Sequence, residues 1–260
     1  MPSLLSLFNG AVYAFLLAPI VLVLVASLTS AGYVSFPPVG LSLRWYAEIG
    51  RRHEFVDALM VSLTVAAAVS VVSTVLGVLA ALGLVRYRFL GRDLLNALFL
   101  SPLMLPGIVI AVAVLQFYAR AGVAATPLTL VLGHVIITTP YTVRLAAASL
   151  AGFDRSLERA ARNLGASPLQ TFRRITLPII APGVIAGAMF AFIVSFDDVN
   201  VALFLSSPQT TTLPVLMFSY SSQETSPILT SASAVLILVV AALVLVIDRL
   251  IGVRNVLGAE

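Results

Sequence analysis

Six runs of roughly twenty apolar residues, at about 11–30, 58–85, 94–118, 128–149, 178–205 and 229–251, leave this 260-residue chain few ways to fold. About 20 apolar residues of helix cross a hydrocarbon core of about 30 Å. Backbone in lipid has no water to bond, so each span must satisfy its own N–H and C=O groups. The expected fold is all-α, with six transmembrane helices. Hydrophobic residues make up 60% of the chain and charged ones 10%, which excludes an ordinary water-soluble domain. The first run lacks a basic leader and a small-residue cleavage site, so it is expected to remain as a span. Absence of cysteine excludes disulfides, thiolate catalysis and cysteine metal sites.

All 15 basic residues are arginines, and their placement orients the spans. If six spans alternate, Arg86, Arg88, Arg92, Arg144, Arg155, Arg159, Arg162, Arg173, Arg174, Arg249 and Arg254 share one side. Only Arg44, Arg51, Arg52 and Arg120 fall on the other. The positive-inside rule then puts both termini in the cytoplasm. A bias of this kind orients helices and forms no nucleic-acid-binding stripe.

Between the first two spans, Pro37 and Pro38 stop any helix, and Trp45 and Tyr46 suit an interfacial helix near 42–50. The second run continues to Tyr87, longer than a bilayer requires. Pro102, Pro106 and Gly107 are expected to kink the third. The fourth begins after Pro127 and carries Pro140, with threonines nearby that can bond freed backbone groups. The fifth, 178–205, would be about 42 Å long as one straight helix. Ser195–Asn200 (SFDDVN) interrupts it, so a helix to about Phe196 and a shorter piece beyond are expected. Leu213–Tyr220 reads as a further short segment.

One polar insert stands out between the apolar runs: Leu157–Gly183, LERAARNLGASPLQTFRRITLPIIAPG. Leu157, Ala160, Ala161 and Leu164 fall at helical spacing and form a small-residue face. Gly165 suits a left-handed C-cap. Ser167 suits an N-cap, with Pro168 at the first helical position. A basic loop lying on lipid headgroups is one reading. The helix–glycine–helix order favours the other, a knob that binds a protein.

Asp197 and Asp198 are the most unusual residues of the chain, because acids at membrane depth are costly and line water-filled paths. At the outer end of the fifth span they could instead be solvated. His134 lies among apolar residues with no ligand-spaced neighbour, and His53 lies outside the spans, so both read as structural.

The insert resembles the cytoplasmic loop of type I ABC importer permeases, whose pattern is Glu-Ala-Ala, three residues, Gly, nine residues, Ile-x-Leu-Pro. Ala160, Ala161, Gly165, Ile175, Leu177 and Pro178 match it, Arg159 stands at the glutamate position, and Glu158 precedes it. The resemblance implies a first helix and periplasmic segment over 1–57, a permease domain over 58–250 with the coupling loop at 151–177, and a cytoplasmic tail over 251–260. It implies that Glu158, Arg159, Ala160, Ala161, Gly165, Ile175, Leu177 and Pro178 contact an ATPase. The partners implied are two ABC ATPase subunits, a second homologous permease chain, a periplasmic binding protein and membrane lipid, with no nucleic acid, in a bacterial inner membrane. ATP and Mg would sit in the ATPases, with no cofactor and no catalytic or metal site here. The chain agrees in having no Gly-x4-Gly-Lys-Ser/Thr loop, since it has no lysine.

Ser195–Val199, with Leu213, Pro214 and Met217–Tyr220 downstream, is further similar to permeases of the polyamine type, which carry putrescine or spermidine. Related systems carry 4-aminobutyrate, opines or aminoethylphosphonate. This implies a substrate path with Asp197 and Asp198 facing protonated amines, aided by cation–π contacts from Phe196 or Tyr220. Glu224 is a weaker expectation, as a contact to the binding protein. An ion-coupled secondary transporter would be expected to show inverted repeats and several intramembrane acids. An intramembrane hydrolase would need a Gly-x-Ser-x-Gly elbow or a His-Glu-x-x-His motif, and neither occurs.

Overall fold

The computed structural model describes residues 4–222 and 226–251, and these are mostly helical, the long non-helical connection being 27–43. In chain order the helices are α1 Leu4–Ala26, α2 Arg44–Arg51, α3 His53–Arg86, α4 Arg92–Leu100, α5 Gly107–Arg120, α6 Pro127–Ala151, α7 Ser156–Asn163, α8 Pro168–Thr171, α9 Leu177–Phe196, α10 Asn200–Leu205, α11 Leu213–Ser221 and α12 Pro227–Ile251. A 3₁₀ turn, Ser101–Met104, follows α4, and a π turn, Phe172–Thr176, joins α8 to α9. Five stretches among the described residues are long and apolar enough to span: α1, α3, α6, 168–196 and 227–246. The α4–α5 pair adds a sixth if counted as one span.

Two expectations are corrected. The first helix starts at Leu4 rather than near residue 11, because Leu4, Leu5, Leu7 and Phe8 extend the apolar run, and it ends at Ala26. The third run is broken rather than kinked, and its two halves meet at 110°. Pro102 and Pro106 withhold two helical donors, and Leu105, preceding a proline, is extended at φ −99°, ψ 141°. The interfacial helix, the long second span and the interruption after Phe196 lie where the sequence places them, as α2, α3 and the α9–α10 break.

The described residues form two compact units, those within 1–59 and 213–251, and those of 60–212. In the first, α12 packs on α1 and α2 around Phe55, Ala58, Leu213, Ile228 and Ala232. The Ser231 hydroxyl donates to the Ser27 carbonyl at 3.1 Å, and the Trp45 indole donates to Ala31 at 3.2 Å. Each of these gives a polar group at an apolar seam its partner.

The second unit is built on the α6–α9 pair, with α10 against α5 and α6. Glycine lets these backbones approach closely: a β-carbon on Gly183 would lie 2.7 Å from the Leu145 carbonyl oxygen, and one on Gly187 3.1 Å from Thr142 Cα. Small residues at a membrane-helix seam permit such packing. Hydroxyls then tie α3 to both helices, Thr142 Oγ1 of α6 to the Ser73 carbonyl at 2.7 Å and Ser70 Oγ to the Ala188 carbonyl of α9 at 2.7 Å. Beside Pro140, Thr138 and Thr139 donate to the His134 and Val135 carbonyls at 2.9 and 2.7 Å, one residue or two short of the Ile136 carbonyl that the proline leaves without its helical donor. Gly183→Val should force the helices apart at a cost of about 1–3 kcal/mol, measured as a lowered unfolding midpoint of the detergent-purified protein. An unchanged midpoint would show that the seam tolerates separation.

Candidate functional site

Two clusters in the second unit carry chemistry: the α6–α9 connection and the turn after α9. The connection begins at buried Phe153 and at Asp154, whose carboxylate accepts from the Ser156 N–H at 2.8 Å and hydroxyl at 2.5 Å. Helix α7 ends at Gly165, φ +86°, where the Gly165 N–H bonds Arg162 at 3.0 Å and the Ala166 N–H bonds Ala161 at 3.1 Å. These two bonds make the Schellman ending that a left-handed glycine permits. Ser167 Oγ accepts from the Gln170 N–H at 3.3 Å, and the Gln170 side chain accepts from the Ser167 N–H at 2.9 Å. That reciprocal capping box starts α8.

Helix α8 does not stop before the membrane, as a separate short helix would. It runs into α9 through the π turn, closed by the Leu177 N–H bonding to the Phe172 carbonyl. Pro178 explains the widening: it cannot donate to the Arg174 carbonyl and its ring crowds that turn.

Glu158 points inward. It is buried and accepts from the Arg86 guanidinium and the Thr176 hydroxyl, pinning α7 to the end of α3 and to the π turn. Arg155 adds a bond to the Val85 carbonyl at 3.1 Å. Burial would push the Glu158 carboxyl up, but the hydrogen bonds from Thr176 and Arg86 and the charges of Arg86 and Arg162 outweigh it and hold the group below the usual range. Outward, Arg159, Ala160, Gly165 and Pro178 are exposed, and so are Leu164 and Leu169; Ala161, Ile175 and Leu177 are half-buried. The loop therefore presents an apolar, small-residue face that the described residues leave uncovered, while Glu158 belongs to its root.

In the turn after α9 the two acids have separate roles. Asp198 Oδ1 accepts from the Val201 and Ala202 N–H groups at 2.7 and 3.2 Å, capping α10. Asp197 is exposed; its N–H bonds the Ile193 carbonyl at 3.1 Å, and its carboxylate has no hydrogen-bond or ion-pair partner among the described residues. Phe196 is buried and stacks on Phe192, ring centroids 5.6 Å apart, so its face is occupied. Tyr220 belongs to the first unit, where its hydroxyl donates to Glu54 and its ring lies 5.3 Å from Phe55. Glu224 lies outside the described residues, as does the expected tail beyond 251.

The fold also brings in a residue that the sequence gave no reason to choose. His134 of α6, fully buried, places Nδ1 2.8 Å from Ser195 Oγ and Nε2 3.9 Å from Asp198 Oδ1. Its partners are more than sixty positions downstream, so no local spacing could have revealed them. Among the described residues no three metal-ligating side chains converge.

Residues 73–254 match the family described as binding-protein-dependent transport system inner membrane component. The chain belongs to that family. It is a multi-pass inner-membrane transport component. It is 37% identical over 222 residues to the putrescine transport system permease protein PotI of Escherichia coli (strain K12), covering 83% of this chain and 79% of PotI. To the spermidine/putrescine transport system permease protein PotC of Haemophilus influenzae it is 32% identical over 248 residues, covering 95% and 96%. The fold matches a chain of a bacterial ABC transporter that imports the acidic polysaccharide alginate, with a TM-score of 0.72 at 15% identity over 94% and 92% of the two chains. It also matches a chain of the MetNI methionine ABC transporter in an inward-facing conformation, at 0.60 and 18% identity over 75% and 95%. This family member has the architecture of an ABC importer permease.

Proposed function

We propose that this chain is one of two permease subunits of an ATP-driven importer and that it carries a small cationic amine, putrescine, spermidine or a close relative. Two ATPase subunits drive the cycle from the cytoplasm and hold ATP and Mg, and this chain hydrolyses nothing. A periplasmic binding protein delivers the solute. The second permease subunit is a homologous chain, and the arginine-rich side, with both termini, faces the cytoplasm. The loop face of Ala160, Leu164, Gly165 and Leu169 seats in the ATPase.

The observation that carries the substrate class is Asp197. It is an exposed carboxylate at the break of a membrane helix, and its neighbour Asp198 is already engaged by α10. A lone acid at such a break suits a protonated amine and disfavours an anion such as a uronate. The relatives named for putrescine and spermidine support the same reading. Sugars and other neutral solutes would leave the carboxylate without a counter-charge.

The experiment is uptake of labelled putrescine by proteoliposomes holding the complete transporter, with ATP inside and binding protein outside. Asp197→Asn should lower uptake at least tenfold with assembly unchanged. Normal uptake in that variant would remove Asp197 from the path. Uptake driven by an ion gradient without ATP would overturn the importer reading. Transport of 4-aminobutyrate or aminoethylphosphonate in place of putrescine would keep the importer and replace its substrate.

A further inference from the structure

We propose that His134 is a positioning residue for solute passage: from α6 it aims the acidic turn, so that Asp198 is held inward and Asp197 alone is presented. This rests on the reading that the acidic turn serves the translocation path.

The two ring nitrogens do different work. Nδ1 lies 2.8 Å from Ser195 Oγ, one residue before the end of α9, and ties α6 to the base of the turn. Nε2 is buried with no hydrogen-bond partner, and Asp198 Oδ1 lies 3.9 Å from it. A lone pair at Nε2 aimed at a carboxylate would repel it, so the proton belongs on Nε2 and the Ser195 hydroxyl donates to Nδ1. A buried N–H without a partner is unfavourable, and native structures keep few of them. Here the nearest acceptor is the carboxylate that also caps α10, and a shift of about 1 Å would bring it within hydrogen-bond reach.

The surroundings make the arrangement specific. Gly133, next in sequence, is packed so that a β-carbon would lie 3.3 Å from Val201 Cγ1, so α6 and α10 meet closely beside the imidazole. Gly107, at the start of α5, is equally close to Asn200. The turn is thus clamped between α5 and α6, with His134 the one polar contact that α6 sends to it among the described residues. Packing sets how near the turn sits. The α10 amides engage Asp198, and the imidazole Nε2 faces the same carboxylate from the α6 side.

Two polar variants separate the nitrogens, tested in the complete transporter reconstituted with its partners. Glutamine places an amide N–H₂ near the Nε2 position, whereas asparagine reaches only the Nδ1 position. His134→Gln should keep putrescine uptake within about threefold of wild type, and His134→Asn should lose about tenfold, with basal ATP hydrolysis unchanged in both. Since His134 acts through Asp198, adding His134→Asn to Asp198→Asn should cost nothing more. Equal uptake by the two His134 variants, or multiplying losses in the double variant, would overturn the proposal. Failure of both variants to assemble would make His134 a folding residue and overturn it equally. Normal uptake by Asp197→Asn would instead defeat the underlying path reading. A loss in Asp197→Asn beside normal uptake in His134→Asn would defeat this inference alone.

Discussion

Gly165→Asp should abolish solute uptake by the assembled transporter and leave this chain in the membrane at wild-type abundance. Gly165 holds φ +86°, and among the described residues no atom beyond its two chain neighbours lies within 4 Å of where its β-carbon would stand. The substitution therefore meets no clash inside the chain. Its internal cost is the left-handed backbone, about 1–2 kcal/mol for an ordinary residue and less for aspartate, whose side chain tolerates that region. Such a cost leaves the fold intact, so a complete loss of transport must come from what docks on the loop. A charged branch at the centre of an apolar contact would have to be buried without a partner. Gly165→Asn, similar in shape and without charge, should keep part of the activity. The measurements are uptake and solute-stimulated ATP hydrolysis in proteoliposomes, with abundance read by immunoblot. Normal stimulation in Gly165→Asp would sink the coupling role of the loop.

Glu158→Ala should destabilise the chain by about 3 kcal/mol, the scale for removing one partner of a largely buried ion pair. The Arg86 side chain is 19% exposed and that of Glu158 12%, so neither charge has much access to water once the other is gone. Arg86→Ala should cost a similar amount, and the double variant clearly less than the two together, because each single change strands the other charge. Acid should act in the same direction. The folded carboxyl is held below its ordinary range, so its stabilisation is present at neutral pH and is lost as pH falls below about 4, through the folded value. Glu158→Gln should flatten that part of the acid limb of unfolding. Thermal unfolding across pH in detergent decides this, and an acid limb identical in the glutamine variant would remove Glu158 as its source.

Features governed by neighbouring residues were legible in the sequence. The left-handed Gly165, the Ser167 cap and the break after Phe196 follow from a missing β-carbon, a short hydroxyl side chain and a polar interruption of an apolar run. The 110° break was underestimated, since prolines mark where a helix fails but not the direction its next segment takes. Glu158 looked like part of the partner-facing pattern, and only the docking of α7 against α3 turns it inward to Arg86. Asp197 and Asp198 look alike as a dipeptide, and their roles part because α10 begins where only one of them can reach its amides. His134 illustrates the general limit, since its character comes from an α6–α9 pairing that no periodicity reports.

The π turn at Phe172–Thr176 makes α8 and α9 two screws joined out of phase. One residue of α-helix corresponds to 100° of rotation, so the residue inserted at this joint decides which way every later side chain of α9 looks. Thr176 fixes the near end of the joint to Glu158, and Ser195 meets His134 at the far end. The bearing of the acids is thus written as a residue count, set beside the loop and read out at the opposite end of the helix. A drift in that count by one would swing the whole face of α9 off its mark with every side chain still in place, so a one-residue insertion or deletion along this helix should cost more than a volume-conserving exchange of an apolar residue.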